Sequence, residues 1–218
     1  MRSLPLFPLN TVLFPGMPLR LHIFEPRYLE MINLCIDRKQ PFGVVLIREG
    51  IEALGGLAEP YMIGTIAQIA EVKPVSIDRM NILAIGGKRF RIHSLQRDKP
   101  YLVGEIFDFP IVKDNEILSK ELAKDLLPWI ETYLDLLSEL RETQFDLSMV
   151  PKTPLLTAYL ASVLLQVPLL EKQQLLSFEK MSDMFNDLHR IYRREVALLR
   201  NLLDNHIKRA DEFLFPLN

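Results

Sequence analysis

Arg89-Phe90-Arg91-Ile92-His93 alternates polar and apolar side chains without a break. Residues two apart share one face of a strand, so this stretch reads as a strand with one face in a core and one in water. Immediately upstream, residues 81–87 form another strand candidate, and Gly86-Gly87 reads as a turn or bulge between the two. Further strand candidates lie near residues 4–10, 18–24, 42–48, 63–73 and 101–109, separated by Gly, Pro or polar breaks. One helix interrupts them: Pro26 suits a first helical turn, and Tyr28/Leu29, Ile32 and Cys35/Ile36 recur at helical spacing up to Arg38. The longest break, residues 50–60, carries Gly55-Gly56.

Beyond residue 112 the grammar changes. All nine glycines fall at or before Gly104; Ile plus Val number 21 in residues 1–112 but 8 afterwards, while Leu rises from 14 to 25. β-branched residues and turn-forming glycines favour strands, and leucine favours helix. Helices are expected near 115–143, 154–167, 171–177 and 178–210, the last with an apolar stripe of Phe185, Leu188, Tyr192, Leu199 and Leu202. The order, strands then helices, predicts an α+β fold rather than an alternating one. A β-rich subdomain (1–112) is expected to close into a small barrel or pseudo-barrel that hides its edges, followed by a helical subdomain (113–218).

Composition narrows the function classes. With 49% hydrophobic and 25% charged residues, the 218-residue chain can build a full core without metals or disulfides. Thirteen basic and 11 acidic residues in the first part, against 13 and 17 in the second, give a net charge of −2 and no strong overall field for nucleic acid or anionic lipid. Residues 3–19 are uncharged but broken by four prolines, and the uncharged stretch 153–170 barely reaches the minimum helical span and holds two prolines and several polar residues, so a buried helix is expected there. A lone Cys35 fits a reducing compartment, and the cytoplasm is the expected location.

Catalytic chemistry finds no foothold. Gly87-Lys88 lacks the preceding glycine and the following hydroxyl residue of a phosphate loop. His22, His93, His189 and His206 are scattered, with no paired cysteines, so no metal set forms; His22 reads as a partly exposed strand residue. No Gly-x-Ser-x-Gly or Ser-x-x-Lys motif supplies a nucleophile, and Cys35 sits on the apolar helix face as a small buried hydrophobe. Lys88-Arg89-Phe90-Arg91 has the composition that single-stranded nucleic acid prefers, yet one such cluster in an acidic chain reads as a solvated strand face. No enzyme activity and no cofactor are expected.

Specific segments carry a family resemblance. Leu4-Pro5-Leu6-Phe7-Pro8-Leu9 leads into Val12-Leu13-Phe14-Pro15-Gly16, then His22-Ile23-Phe24-Glu25-Pro26-Arg27-Tyr28. Phe42-Gly43-Val44-Val45, Ile63-Gly64-Thr65-Ile66-Ala67, Gly86, Arg89-Phe90-Arg91-Ile92 and Pro100-Tyr101-Leu102 follow in order. This succession resembles the amino-terminal substrate-binding domain of Lon proteases, and residues 160–176 and the last helix are similar to the helical part that follows in that family. One departure is Ile77-Asp78-Arg79-Met80, where the family often has an Asp-Gly turn. The resemblance implies a PUA-like pseudo-barrel with a helical bundle, standing alone without ATPase or peptidase modules. It implies a module that holds unfolded or exposed apolar polypeptide segments, and leaves room for a separate protease or ATPase as partner; RNA binding is the alternative that PUA-like barrels offer.

An apolar surface that accepts many sequences needs exposed hydrophobic side chains. Phe14, Met17 and Pro18 lie in a Pro/Gly-rich connection, and Ile51, Leu54, Leu57, Tyr61 and Met62 flank the glycine loop, so these are the candidate peptide-binding residues. Among the signature residues, Phe24 and Tyr28 are expected as core anchors and Glu25 with Arg27 as a buried or semi-buried pair that positions the helix starting at Pro26. Gly64, Gly86, Arg89 and Phe90 are expected to serve structure.

Overall fold

The computed structural model describes residues 1–50, 58–141 and 153–214. Its elements run β1 (Arg2–Leu9), β2 (Pro18–Ile23), α1 (Pro26–Asp37), β3 (Phe42–Glu49), β4 (Glu59–Pro60), β5 (Ile63–Ser76), β6 (Arg79–Gln96) and β7 (Leu102–Asp108), then α2 (Glu116–Arg141), α3 (Pro154–Leu164), α4 (Leu169–Ser177) and α5 (Met181–Leu214). The fold is α+β. The sheet follows the order β1-β7-β6-β5-β3, and a parallel pairing of β1 with β3 closes it into a ring. All other pairings between strands among the described residues are antiparallel, and β2 adds to β6 outside the ring.

Alternation along each strand builds two cores. Leu4 and Leu6 of β1 join Val45, Ile66, Phe90, Ile92, Leu102 and Ile106 inside the ring. Phe7 and Leu9, of opposite parity, join Phe42, Val44, Tyr101 and Val103 beneath the Tyr28, Met31, Ile32 and Cys35 face of α1. Room for the Phe90 ring inside so narrow a barrel comes from glycine. A Cβ on Gly64 would lie 2.4 Å from the Val44 carbonyl oxygen and 2.8 Å from Phe90 Cζ, and one on Gly43 would lie 2.8 Å from the same ring atom. The expected strands at 81–87 and 89–96 are one strand, β6. Between the pairs Thr65↔Arg89 and Ala67↔Gly86, Gly87 and Lys88 face the single residue Ile66, so the glycine pair marks a bulge that bends a continuous strand. The β5–β6 hairpin closes through Ile77-Asp78, where Ser76 donates to the Asp78 carboxylate at 2.7 Å in place of a glycine turn.

The chain divides into two compact units, 1–111 with 166–179, and 112–165 with 180–218. The segment carrying α4 therefore belongs with the strands, which a single cut at 112 does not describe. Arg89 supplies the physical reason, and it corrects the expectation of a solvated basic face. Only 2% exposed, it donates from one guanidinium nitrogen to the carbonyls of Leu176 (2.6 Å) and Phe178 (2.8 Å), at the carboxyl end of α4. Those carbonyls have no partner inside the helix and carry the negative end of its dipole, so a buried cation is well placed there. Gln173 donates to the Ile63 carbonyl at 3.0 Å, and Arg91 pairs with Glu179 at 2.7 Å.

In the second unit, Met184, Phe185, Leu188, Ile191 and Tyr192 of α5 are fully buried. The Tyr192 hydroxyl donates to the Ala161 carbonyl at 2.9 Å, and its ring meets Tyr133 edge-on at 5.3 Å. The predicted stripe weakens distally, with Leu202 52% exposed. The uncharged stretch 153–170 breaks after α3, whose Ala158, Ala161 and Ser162 are buried. Among the described residues no helix is long and apolar enough to cross a membrane.

Candidate functional site

A single residue, Phe24, separates the end of β2 from the N-cap of α1, Glu25. Ile23 points into the core at 1% exposure, and Tyr28 is buried and stacks on Phe7 with centroids 4.0 Å apart. Pro26 occupies the first turn of α1, where a missing N–H costs nothing. Glu25 makes no side-chain cap and instead accepts from Arg27 at 3.0 and 3.1 Å, both side chains about 15% exposed or less. The Arg27 guanidinium in turn lies over the Tyr28 ring, 4.6 Å from its centroid. The expected semi-buried pair is present, and it fixes the entry of the helix.

That rigid corner leaves Phe24 committed to neither apolar face. The ring is 50% exposed, which corrects its expected place as a core anchor. It stacks on His22 at 5.9 Å, and His22 Nδ1 lies 2.7 Å from the Asn81 side-chain oxygen. Beside them opens a cleft of about 380 Å³, floored by Phe7, Leu9, Leu21, Ile23 and Tyr28 and rimmed by Asn10, His22, Phe24, Glu25 and Gly50. An apolar floor, an exposed aromatic ring and a few polar groups at the rim suit an apolar side chain on a larger ligand.

The candidate residues named from sequence fall elsewhere. Phe14 is fully buried: the Gly16 N–H donates to the Gly86 carbonyl and the Gly86 N–H to that of Met17, pinning the loop on β6, and a Cβ on Gly86 would meet the Phe14 carbonyl at 2.2 Å. Phe14 is thus a core residue, not a docking wall. Met17 is half-buried against the core, and Pro18 is exposed. Met62 is 43% exposed and Tyr61 half-buried. Met62 stands by Ile92, whose N–H donates to its carbonyl, whereas Met17 stands by Gly86. Six positions of β6, with the bulge at Gly87-Lys88 among them, separate those stations, so the two groups dock at different points along the strand. Ile51, Leu54 and Leu57 lie outside the described residues. The basic run is also committed, with Arg89 buried, Arg91 paired to Glu179, and both guanidiniums within 5 Å of the Phe109 ring.

Cys35 is buried, and desolvation raises its thiol above the ordinary value, as its expected role as a small hydrophobe requires. From sequence Phe24 reads as core because it belongs to the same signature as Tyr28. The available signal was its position two residues before a helix-starting proline, outside the period of both strand and helix.

Comparison with known proteins places this geometry in a family. Residues 3–194 match the model of the ATP-dependent protease La (LON) substrate-binding domain. The Lon protease of Anaeromyxobacter dehalogenans is 29% identical and Lon protease 2 of Myxococcus xanthus 28%, each over 94% of this chain. The chain spans about a quarter of the length of these curated relatives. Two solved structures share the fold: a Lon N-terminal domain protein from Xanthomonas campestris (TM-score 0.62, 24% identity, 87% of this chain and 98% of that one), and the N-terminal domain of the Mycobacterium avium complex Lon protease (TM-score 0.65, 16% identity, 88% and 98%). With the ring, the β2–α1 corner and the long last helix all in place, the chain belongs to the Lon substrate-binding domain family.

Proposed function

We propose that this domain captures unfolded or exposed apolar polypeptide segments without catalysing their conversion, and that the cleft beside Phe24 is where an apolar side chain lodges. The carrying observation is the half-exposed Phe24 side chain beside a cleft lined by core residues, stacked on His22 and adjacent in sequence to the Glu25–Arg27 pair. A phenylalanine carries about 200 Å² of burial on complex formation, so covering the exposed half is about 100 Å². At about 25 cal/mol per Å² this contributes about 2.5 kcal/mol. Substrate binding, the role in the family model's description, is consistent with such a surface; on this reading the partner is a protease that cleaves captured segments, or an ATPase that unfolds them. Fluorescence anisotropy with a labelled peptide from an unfolded protein tests this. Phe24→Ser should weaken binding by about tenfold or more without moving the thermal midpoint, while Met62→Ser changes little. Equal affinity in wild type and Phe24→Ser rejects the site.

A further inference from the structure

The cleft borders an unpaired strand edge. Every residue of β2 from Pro18 to Ile23 pairs with β6 in unbroken register, Pro18↔Ile85 through Ile23↔Met80. On its other side no strand pairs with β2 among the described residues. The cleft touches Leu21, His22 and Ile23 but none of Met80, Asn81 or Ile82, their neighbours on β6, so it lies on the free side of β2. Alternate residues of an edge strand turn their N–H and C=O groups outward, and those groups accept an added strand.

Edges that resist such addition are blunted by bulges, prolines or lysines. The free part of β5 beyond Ala67 has these devices: bulged registers at residues 69–71 and 74–76, Lys73 and Pro74. β2 has no bulge and no lysine; its one charged residue, the exposed Arg20, and its one proline, at the first position, both stand outside the cleft lining. The one charged side chain lining the cleft among the described residues, Glu25, is already paired with Arg27, so the lining suits an apolar side chain and offers no uncompensated charge.

We infer that the captured segment binds as an extended strand added to the free edge of β2, placing alternate apolar side chains in the Phe24 cleft. This rests on the proposed peptide-binding reading and specifies its mode. Backbone pairing makes recognition tolerant of sequence, since main-chain groups are common to all segments, and the cleft selects only the alternate positions.

The probe is a fluorescein-labelled octapeptide alternating valine with serine and bearing one lysine, compared with two versions N-methylated on either alternating set of amides. One set faces β2 and the other faces solvent. Methylation of one set should weaken binding at least tenfold and of the other less than threefold. Equal effects of the two sets, with Phe24→Ser still lowering affinity, overturn strand addition and leave apolar capture standing. Absence of binding by the unmethylated peptide, or indifference to Phe24→Ser, overturns both.

Discussion

Arg89 donates to the main-chain carbonyl of Leu176 across 87 positions of sequence, at 2.6 Å and out of contact with water. The bond ties the end of α4 to the barrel wall, and a helix far along the chain thereby becomes part of the β-rich unit. Replacing Arg89 by leucine leaves the Leu176 and Phe178 carbonyls without this donor. The expected cost is about 2–4 kcal/mol, read as a lower urea midpoint with an unchanged slope. Amide exchange in α4 should accelerate more than in α5. A change below about 0.5 kcal/mol, the scatter of ordinary surface substitutions, contradicts the assignment.

The ring interior predicts an intolerance to the smallest side chain. Gly64→Ala puts a Cβ 2.4 Å from the Val44 carbonyl and 2.8 Å from Phe90. Backbone cannot yield as a flexible side chain can, so the loss should be about 3 kcal/mol or more. Gly87→Ala, whose nearest neighbour is 3.3 Å away, should cost far less. Thermal melts of the pair decide it.

Acid should weaken the start of α5. Asp114 accepts from the Ser182 hydroxyl and from its N–H at 3.3 Å, and the hydroxyl bond foremost holds the Asp114 carboxyl below its ordinary value. A carboxyl depressed in the folded state contributes stability above its unfolded pKa, lost as pH falls through the folded one. Asp114→Asn should therefore lower the thermal midpoint at pH 7, and the two proteins should converge well below about pH 4, the unfolded aspartate value. A difference that persists undiminished in acid contradicts this origin.

Salt distinguishes apolar capture from phosphate contact. Peptide affinity should change less than about twofold between 50 and 200 mM salt, whereas a protein contacting several phosphates loses orders of magnitude over that range. A steep decline with salt would favour the RNA reading over the apolar one.

Most elements were legible because each obeys one clear period. Period two marked β6, helical spacing marked α1 and α5, and the shift from glycine and isoleucine to leucine marked the change of class. What escaped depends on contacts distant in sequence. Nothing local distinguishes buried Arg89 from exposed Arg91, because the difference lies in where α4 ends. Phe14 sits in a proline- and glycine-rich loop that reads as surface, yet Gly86, 72 positions later, gives its backbone a seat on β6. Phe24 reads as core with its neighbours, and only the tight β2–α1 corner turns it outward.

Amide chemical-shift mapping during titration with an unfolded-protein peptide tests the central claim most directly. The account predicts the largest shifts at Leu21 to Glu25, with Asn10 and Tyr28 following, and little change at Met62 or at the exposed hairpin tip around Ile77. Shifts centred on Met62 and Tyr61, with Phe24 and its neighbours silent, would contradict it.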